Sequence, residues 1–191
     1  MNMNTSKWLS WPVILIGVVI IIALWLGSVY NGFVKQNEAV TAQWAQVESQ
    51  YQRRFDLIPN LVASVQGIMK QEKDVFIAIA DARTRYSGAT TPDQKAAAAS
   101  GVETSLARLL VVMENYPQLK SADTVQSLMA ELSGTENRVA VERMRYNEIV
   151  RDYNVKVKSF PGNLVASMFG FAPRTMFEAQ TGAENAPKVQ I

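Results

Sequence analysis

The 191-residue sequence contains no cysteine and no histidine. Without cysteine the chain forms no disulfide bond and offers no thiolate to a metal ion. Without histidine it lacks the usual general base near neutral pH and the commonest transition-metal ligand. These absences exclude Ser-His and Cys-His catalytic pairs. By residue type alone, a carboxylate metal site or a catalytic carboxylate pair stays open.

The chain also has little net charge, with a formal value of +2 at pH 7. Such a small excess does not favour nucleic-acid binding, and the interspersed signs are typical of a solvated helical surface. The phosphate-binding motifs G-x-x-x-x-G-K-[ST] and G-x-G-x-x-G are absent. Acidic and basic residues alternate over 136–148 as helical ion pairs do. We therefore expect no nucleic-acid partner, no cofactor, no metal and no enzymatic activity.

Charge is missing altogether between Lys7 and Lys35, and the middle of this stretch is mostly Val, Ile and Leu. A helix that crosses a bilayer needs roughly 20 mostly apolar residues, which the run Trp11–Tyr30 supplies. Aromatic residues near its ends suit the membrane interface. The run is too long for a signal peptide and lacks a small-residue cleavage site. We expect a tail over residues 1–10, then a single-pass anchor in the lipid bilayer over residues 11–31.

Basic residues set the orientation only weakly, because Lys7 precedes the span and Lys35 follows it closely. We favour a cytoplasmic N-terminus with the remaining domain outside. Two small-x-x-x-small pairs occur at the end of the span, Ala23 with Gly27 and Ser28 with Gly32. Such pairs let neighbouring spans approach closely, and the alternative is that these small residues face lipid.

Beyond the anchor, apolar residues recur at spacings of three and four, and sustained period-two alternation is absent. This pattern predicts an all-α fold with coiled-coil character and no sheet. We expect the first amphipathic helix to run without interruption to Ala82, with a kink near residues 55–59 caused by Pro59. Its predicted apolar stripe is Val40, Trp44, Val47, Tyr51, Phe55, Ile58, Val62, Val65, Met69, Phe76 and Ile79.

Two further helices are predicted after a loop over residues 87–91. Thr91 and Gln94 form a potential capping box, Pro92 suits the first helical position, and Pro117 is expected to close this helix. The third helix begins near residues 121–123 and ends at Pro161. Three such helices with short connections predict an antiparallel bundle.

The bundle is expected over residues 32–162, followed by a short apolar helical tail over residues 163–179. This tail is too short to span a membrane. It could cap the bundle, dock on the membrane surface or pack against another subunit. The Gly and Pro residues that bracket it favour packing. Residues 180–191 are polar and expected to be flexible.

A dense polar motif surrounds the predicted kink. It comprises Arg53, Arg54, Asp56, Pro59 and Asn60. Because an interior proline frees a backbone carbonyl, nearby polar side chains can satisfy that group. An arginine here can also form a forked pair with a carboxylate on another helix. Recognition of a partner and structural support of the kink both remain open, and we favour the structural interpretation.

A second polar and aromatic set follows the third helix. Its two Tyr-Asn pairs are seven residues apart and therefore share one helix face. Glu136 and Arg143 lie near the same face of this helix. We expect Glu136 to pair with Arg54 and Arg143 to pair with Glu114 on other helices. A ligand site is the alternative, although aromatic stripes at helical spacing usually belong to the core. The set comprises Glu114, Glu136, Asn137, Arg143, Tyr146, Asn147, Tyr153 and Asn154.

These motifs resemble those of the LemA family over nearly the whole chain. The resemblance implies a bacterial protein of the inner membrane with a helical bundle domain, and it implies no activity. Magnetosome-associated members suggest, by analogy, a role in membrane organisation. The residues that carry it are Arg53-Arg54-x-Asp56-Leu57-Ile58-Pro59-Asn60-Leu61-Val62, Glu114-x-Tyr116-Pro117-x-Leu119, Thr135-Glu136-Asn137 and Arg143-x-x-Tyr146-Asn147.

Three functional hypotheses follow. The first is a non-enzymatic, membrane-anchored scaffold that forms a homo-oligomer and organises membrane or partner proteins. The second is a monomeric adaptor that docks another membrane protein through its helical surface. The third is a ligand-binding sensor or an enzyme, whose catalytic residues would have to be unusual for the chemistry.

Overall fold

A computed structural model of the chain describes residues 11–120 and 122–177. These ranges contain helices and no strand, which confirms the all-α prediction. The predicted N-terminal tail, residues 178–179 of the apolar tail and the predicted flexible C-terminus lie outside the described residues. The helices are α1 (Trp11–Gln66), α2 (Lys73–Gly88), α3 (Pro92–Met113), α4 (Pro117–Lys120), α5 (Asp123–Lys158) and α6 (Gly162–Phe169).

The chain divides into two compact units. Unit 1 comprises Met1–Thr41 and Ile149–Arg174, and unit 2 comprises Ala42–Glu148 and Thr175–Ile191. Both units draw on α1 and α5. Unit 1 adds α6, whereas unit 2 adds α2, α3 and α4.

The N-terminal part of α1 exposes a long series of large apolar side chains, among them Ile21 at 67% and Leu24 at 70%. Water-soluble proteins rarely expose a contiguous apolar surface of this kind, because its hydration is unfavourable. By length and composition, α1 is one of two described helices that could cross a membrane. This part of α1 supports a membrane location for the chain.

The second helix that passes this test of length and composition is α3. It differs from the start of α1 because one apolar face of the helix is covered within unit 2, although Leu110 and Val111 stay exposed. Val102 and Leu109 have no exposed surface, and Leu106 retains only 3%. We therefore assign α3 to the protein core and the span to α1.

The predicted uninterrupted helix to Ala82 is wrong, because α1 ends at Gln66 and α2 begins only at Lys73. Gly67 follows the last residue of α1, and glycine destabilises a helix interior by about 1 kcal/mol relative to alanine. The turn is held by tertiary packing, since Met69 is fully buried and its N–H donates to the Val65 carbonyl at 3.0 Å. Apolar residues keep the helical spacing across this turn, so the sequence pattern does not reveal the break.

The predicted apolar stripe is correct in most places and shifted by one residue in two. Leu61 and Val75 are buried, whereas the predicted Val62 and Phe76 are half-buried. Pro59 lies inside α1, which continues as helix on both sides of it. The kink near this proline stays a prediction.

The boundary of the next helix also differs from the prediction. α3 ends at Met113, and Pro117 begins the short helix α4 instead of closing α3. Proline fits this position because the first residues of a helix have no intrahelical partner for their N–H groups. The fully buried Leu119 packs α4 into unit 2.

The predicted capping box at the start of α3 is present. Thr91 accepts a hydrogen bond from the Gln94 N–H at 3.2 Å, and the Gln94 side chain accepts one from the Thr91 N–H at 3.3 Å. Pro92 takes the first helical position. Both bonds satisfy donors that the helix itself leaves unpaired.

Replacing this cap, Thr91→Ala, should lower the free energy of unfolding by about 1 kcal/mol. The measurement is denaturant unfolding of the full chain in mild detergent, followed by circular dichroism. Thr104→Ala is the matched control, because its exposed hydroxyl donates to the Ser100 carbonyl within the same helix and has no other partner among the described residues. That control should change stability by less than about 0.5 kcal/mol. Equal effects of the two substitutions would contradict the assigned role of the cap.

Candidate functional site

A polar seam in unit 2 is centred on Arg143 of α5. Its Nε donates a hydrogen bond to the Tyr51 hydroxyl at 2.7 Å, and its Nη2 lies 3.1 Å from Glu103 Oε1. The guanidinium carbon also lies 5.3 Å from the centroid of the Tyr51 ring and 5.2 Å from that of Phe177. The planar guanidinium suits this combination of a carboxylate and two aromatic faces. Arg143 therefore connects α1, α3 and α5 with residues 171–177, which we call the C-terminal segment.

Two tyrosines of unit 2, Tyr51 and Tyr86, are held in the neutral form. Burial raises the pKa of Tyr51 to about 12, and the positive charge of Arg143 only partly opposes that effect. Burial likewise raises the pKa of Tyr86, whose ring meets Phe55 edge-on with centroids 4.5 Å apart. A hydroxyl that stays protonated well above neutral pH is a poor general base. Tyr51 is therefore suited to hydrogen bonding, and both rings are suited to packing.

Arg54 forms the predicted pair with Glu136, but the contact is weak. Its Nη2 lies 3.5 Å from Glu136 Oε2, and the Glu136 side chain is 68% exposed. The Arg54 side chain itself is only 7% exposed. Within the described part of the chain, its buried Nε and Nη1 atoms have no hydrogen-bond partner. A buried cation with one long contact contributes little to stability.

The predicted pairing of Arg143 with Glu114 is wrong. Arg143 pairs with Glu103 in the middle of α3, whereas Glu114 is exposed at the C-terminal cap of that helix. Periodicity identifies which face of a helix points inward, but it does not determine which levels of two helices meet. Glu103 lies next to the buried Val102, and this is the only sequence signal that could have suggested it.

The other residues of the Pro59 motif do not join Arg54 in the interior. Arg53, Asp56, Pro59 and Asn60 are all exposed on α1. Arg53 lies 3.8 Å from Glu131, and both of these side chains are largely solvated. Exposed ion pairs of this kind contribute little to stability. The structure therefore separates one inward arginine from an exposed polar surface.

Asn147 holds the C-terminal segment on unit 2. Its Nδ2 donates to the Phe177 carbonyl at 2.9 Å, and the Phe177 N–H donates to its Oδ1 at 2.8 Å. The amide side chain thus satisfies both backbone groups of one residue. The Phe177 ring stacks on Trp44 at 5.6 Å and meets Tyr146 at 5.3 Å. This aromatic contact, which the sequence did not predict, completes the cover over Arg143.

Asn154 makes the same pair of bonds within unit 1. Its Nδ2 donates to the Arg174 carbonyl at 2.7 Å and its Oδ1 accepts from the Arg174 N–H at 2.8 Å. The Arg174 side chain donates to Asn37 at 2.8 Å. Tyr153 is 1% exposed and meets Phe33 edge-on. The seven-residue Tyr-Asn repeat therefore places two such asparagines on one helix, one in each unit. We call each pair of bonds from an asparagine side chain to the N–H and carbonyl of one residue a backbone clamp.

Several candidate residues are not part of these networks. Asn137 is exposed and has no hydrogen bond among the described residues. Ala23, Gly27 and Ser28 lie on the exposed part of α1, and a Cβ added at Gly27 would meet nothing within 4 Å. At Gly32, by contrast, an added Cβ would lie 2.5 Å from the Lys156 ammonium. A side chain at position 32 would therefore displace the flexible end of Lys156.

The described residues contain no group of three or more acidic side chains placed to hold a metal ion. A groove of about 860 Å³ lies between α2 and α3, and small side chains such as Ala78, Ala97 and Gly101 line much of it. Asp81 is the one carboxylate among the described residues that line this groove. The geometry of the seam is that of a structural network.

Comparison with known proteins gives a family match and three relatives. The model of the LemA family matches residues 43–191. Magnetosome proteins MamQ 1 and MamQ 2 of Paramagnetospirillum magneticum are each 28% identical over 181 residues, which covers 81% of this chain and 66% of theirs. Magnetosome protein MamQ of Magnetospirillum gryphiswaldense is 28% identical over 168 residues, or 74% of this chain and 62% of its own. The chain thus spans slightly less than two thirds of these relatives' length.

The buried Arg54 and the half-buried Arg143 should respond differently to substitution. Arg143→Met leaves the Glu103 carboxylate and the Tyr51 hydroxyl without their partner, so we expect a loss of roughly 2 kcal/mol. Arg54→Met removes a poorly paired charge, so we expect a change within about 1 kcal/mol or a gain. Denaturant unfolding of both full-length variants measures the contrast. A larger loss for Arg54→Met would show that Arg54 is the main cation of the seam.

Removing one backbone clamp should loosen the C-terminal segment without unfolding unit 2. Asn147→Ala eliminates two hydrogen bonds to Phe177. The backbone amide of Phe177 should therefore exchange with deuterium roughly tenfold faster. Hydrogen exchange followed by mass spectrometry of peptides over residues 171–177 measures the effect. Asn137→Ala is the matched control on the same helix and should leave the exchange unchanged. Equal exchange in both variants would mean that the aromatic contacts alone hold the segment.

Proposed function

Because the chain belongs to the LemA family, we propose that it is a non-enzymatic, membrane-anchored structural protein that self-associates and organises the membrane or partner proteins. The observation that carries the proposal is the contiguous apolar exposure at the start of α1, where Ile21 is 67% and Leu24 70% exposed. Lipid covers such a surface, and neighbouring copies can pack on it as well. The bilayer and a second copy of the chain are therefore the proposed partners.

The course of α1 supports self-association. It is one uninterrupted helix from Trp11 to Gln66, so no loop separates the apolar run from the helical bundle. Ala23 and Gly27 lie on its exposed surface. Two small residues four positions apart let the backbones of two spans approach closely. Contact between spans would thus bring the N-terminal parts of two α1 helices together.

The chemistry of the seam supports a structural role. Arg143 is engaged by Glu103, Tyr51 and Phe177, and the raised pKa of Tyr51 keeps its hydroxyl protonated. With the chain's lack of histidine and cysteine, this leaves no activated nucleophile in the seam. The relatives named as magnetosome proteins support, by analogy, a role in organising a membrane.

We also propose a single-pass location in the bacterial inner membrane, with the helical bundle outside. Lys7 and Lys35 flank the apolar run and nearly balance each other, so orientation has to be measured directly. Protease added to intact spheroplasts should cleave the bundle domain. Protection of the domain until lysis would reverse the proposed orientation.

The native mass of the full chain in mild detergent and in lipid discs tests self-association. We expect one discrete multiple of the chain mass. Gly27→Leu should weaken the association roughly tenfold, which corresponds to about 1.4 kcal/mol, because a bulky side chain separates the spans. Gly17→Leu is the matched control, since Gly17 also lies in the apolar run and a Cβ there also meets nothing within 4 Å.

A monomeric mass in both detergent and lipid would contradict self-association and favour the adaptor hypothesis. The observation that supports an adaptor is the exposed polar surface of Arg53, Asp56, Pro59 and Asn60 on α1. In that case, crosslinking in cells should capture another membrane protein. Arg53→Glu should abolish the crosslink while leaving the helical content unchanged.

A further inference from the structure

Helix α6 in unit 1 leaves much of an apolar face uncovered by the residues that the structure describes. It buries only Val165 and Ala166. Large apolar side chains on and just before the helix remain outside, with Phe160 80%, Leu164 54%, Met168 68% and Phe169 50% exposed. We call these four residues the α6 face. Hydration of so much apolar surface on a short helix is unfavourable, so a different environment must cover it.

The position of α6 in unit 1 identifies that environment. The Phe169 ring lies 4.9 Å from the ring of Tyr30, and Phe171 lies 5.7 Å from the same ring. Tyr30 is the last residue of the apolar run, and aromatic rings favour the boundary between lipid and water. One turn earlier, Leu26 and Val29 are half-buried, whereas most of the preceding run is exposed. Helix α6 therefore lies at the level where the span leaves the bilayer.

The stretch of chain that contains α6 carries charges of one sign. Residues 153–177 contain no Asp or Glu, but they include Lys156, Lys158 and Arg174. Lys158 is exposed, and the Lys156 ammonium lies 5.1 Å from the centroid of the Phe33 ring. On α1, Lys35 follows the span before any acidic residue appears. We call Lys35, Lys156, Lys158 and Arg174 the basic collar. Their positive charge complements the negative surface of a membrane that contains anionic lipids.

We propose that the α6 face inserts at the boundary between headgroups and acyl chains of the same bilayer that holds the span, with Lys156 and Lys158 near anionic headgroups. This is the arrangement of an interfacial amphipathic helix. The inference rests on the proposed membrane anchor and is independent of self-association. It differs from the packing role that the Gly and Pro residues favoured in the sequence.

The absence of cysteine makes a depth measurement direct, because one introduced thiol carries the only label. Met168→Cys places a nitroxide on the α6 face. Ile21→Cys reports the span, and Val111→Cys reports an exposed apolar position of unit 2. The native residues are similarly exposed, at 68%, 67% and 64% respectively. The full chain is reconstituted in vesicles of phosphatidylcholine with phosphatidylglycerol, and each label's collisions with oxygen and with a water-soluble nickel complex are compared.

We expect the label at position 168 to collide more with oxygen than with nickel, as the label at position 21 does, and the label at position 111 to show the reverse. An aqueous label at position 168 beside a lipid-exposed label at position 21 would overturn the α6 proposal and leave the anchor standing. Aqueous labels at both positions would overturn the anchor as well. Spin–spin broadening at position 168 that disappears on dilution with unlabelled protein would identify a second copy as the cover, which also overturns lipid docking.

The basic collar has its own test in the same system. Lys158→Glu should make the label at position 168 more accessible to nickel in vesicles that contain phosphatidylglycerol, because the carboxylate is repelled by the anionic surface. In vesicles of phosphatidylcholine alone the substitution should have a smaller effect. An equal shift in both vesicles would overturn the assigned role of the lysine.

Discussion

The apolar surface of α1 is the constraint on which the rest of the structure depends. Along one helix, the side chains from Val13 to Leu24 are exposed, whereas Phe33, Val47 and Val65 have no exposed surface. Transfer of apolar surface out of water drives both arrangements, but lipid suits the first stretch and protein the second. The helices of unit 2 are folded against the second stretch.

Arg54 and Arg143 show how a helical bundle accommodates charge at and near its core. Arg143 is surrounded by a carboxylate, a hydroxyl and two aromatic rings, whereas Arg54 has one long contact to a solvated carboxylate. Removing a guanidinium from water is unfavourable unless its donors find partners in the interior. The two arginines therefore have opposite expected effects on stability although both lie in the seam. An arginine in the sequence does not by itself indicate which of these two cases applies.

Local features were predictable from the sequence because neighbouring residues determine them. The capping box needs only Thr91 and Gln94, three positions apart, and the apolar periodicity identifies most of the buried face of each helix. The break after Gln66 was missed because a buried Met69 keeps the spacing intact across the turn. Spacing also pointed to Val62 as a buried residue, whereas the structure buries its neighbour Leu61. Both errors come from packing between segments, which a spacing rule does not contain.

The sequence by itself determined the helical class, the anchor run, the exclusion of histidine and cysteine chemistry and the resemblance to the LemA family. Each of these depends on composition or on residues close together in the chain. Only the tertiary structure decided that Arg143 pairs with Glu103, that Asn147 and Asn154 clamp the C-terminal segment, and that α6 presents an apolar face beside Tyr30. The physical reason is that such contacts join residues far apart in sequence. The relative level of two helices, which periodicity leaves open, decides whether those residues meet.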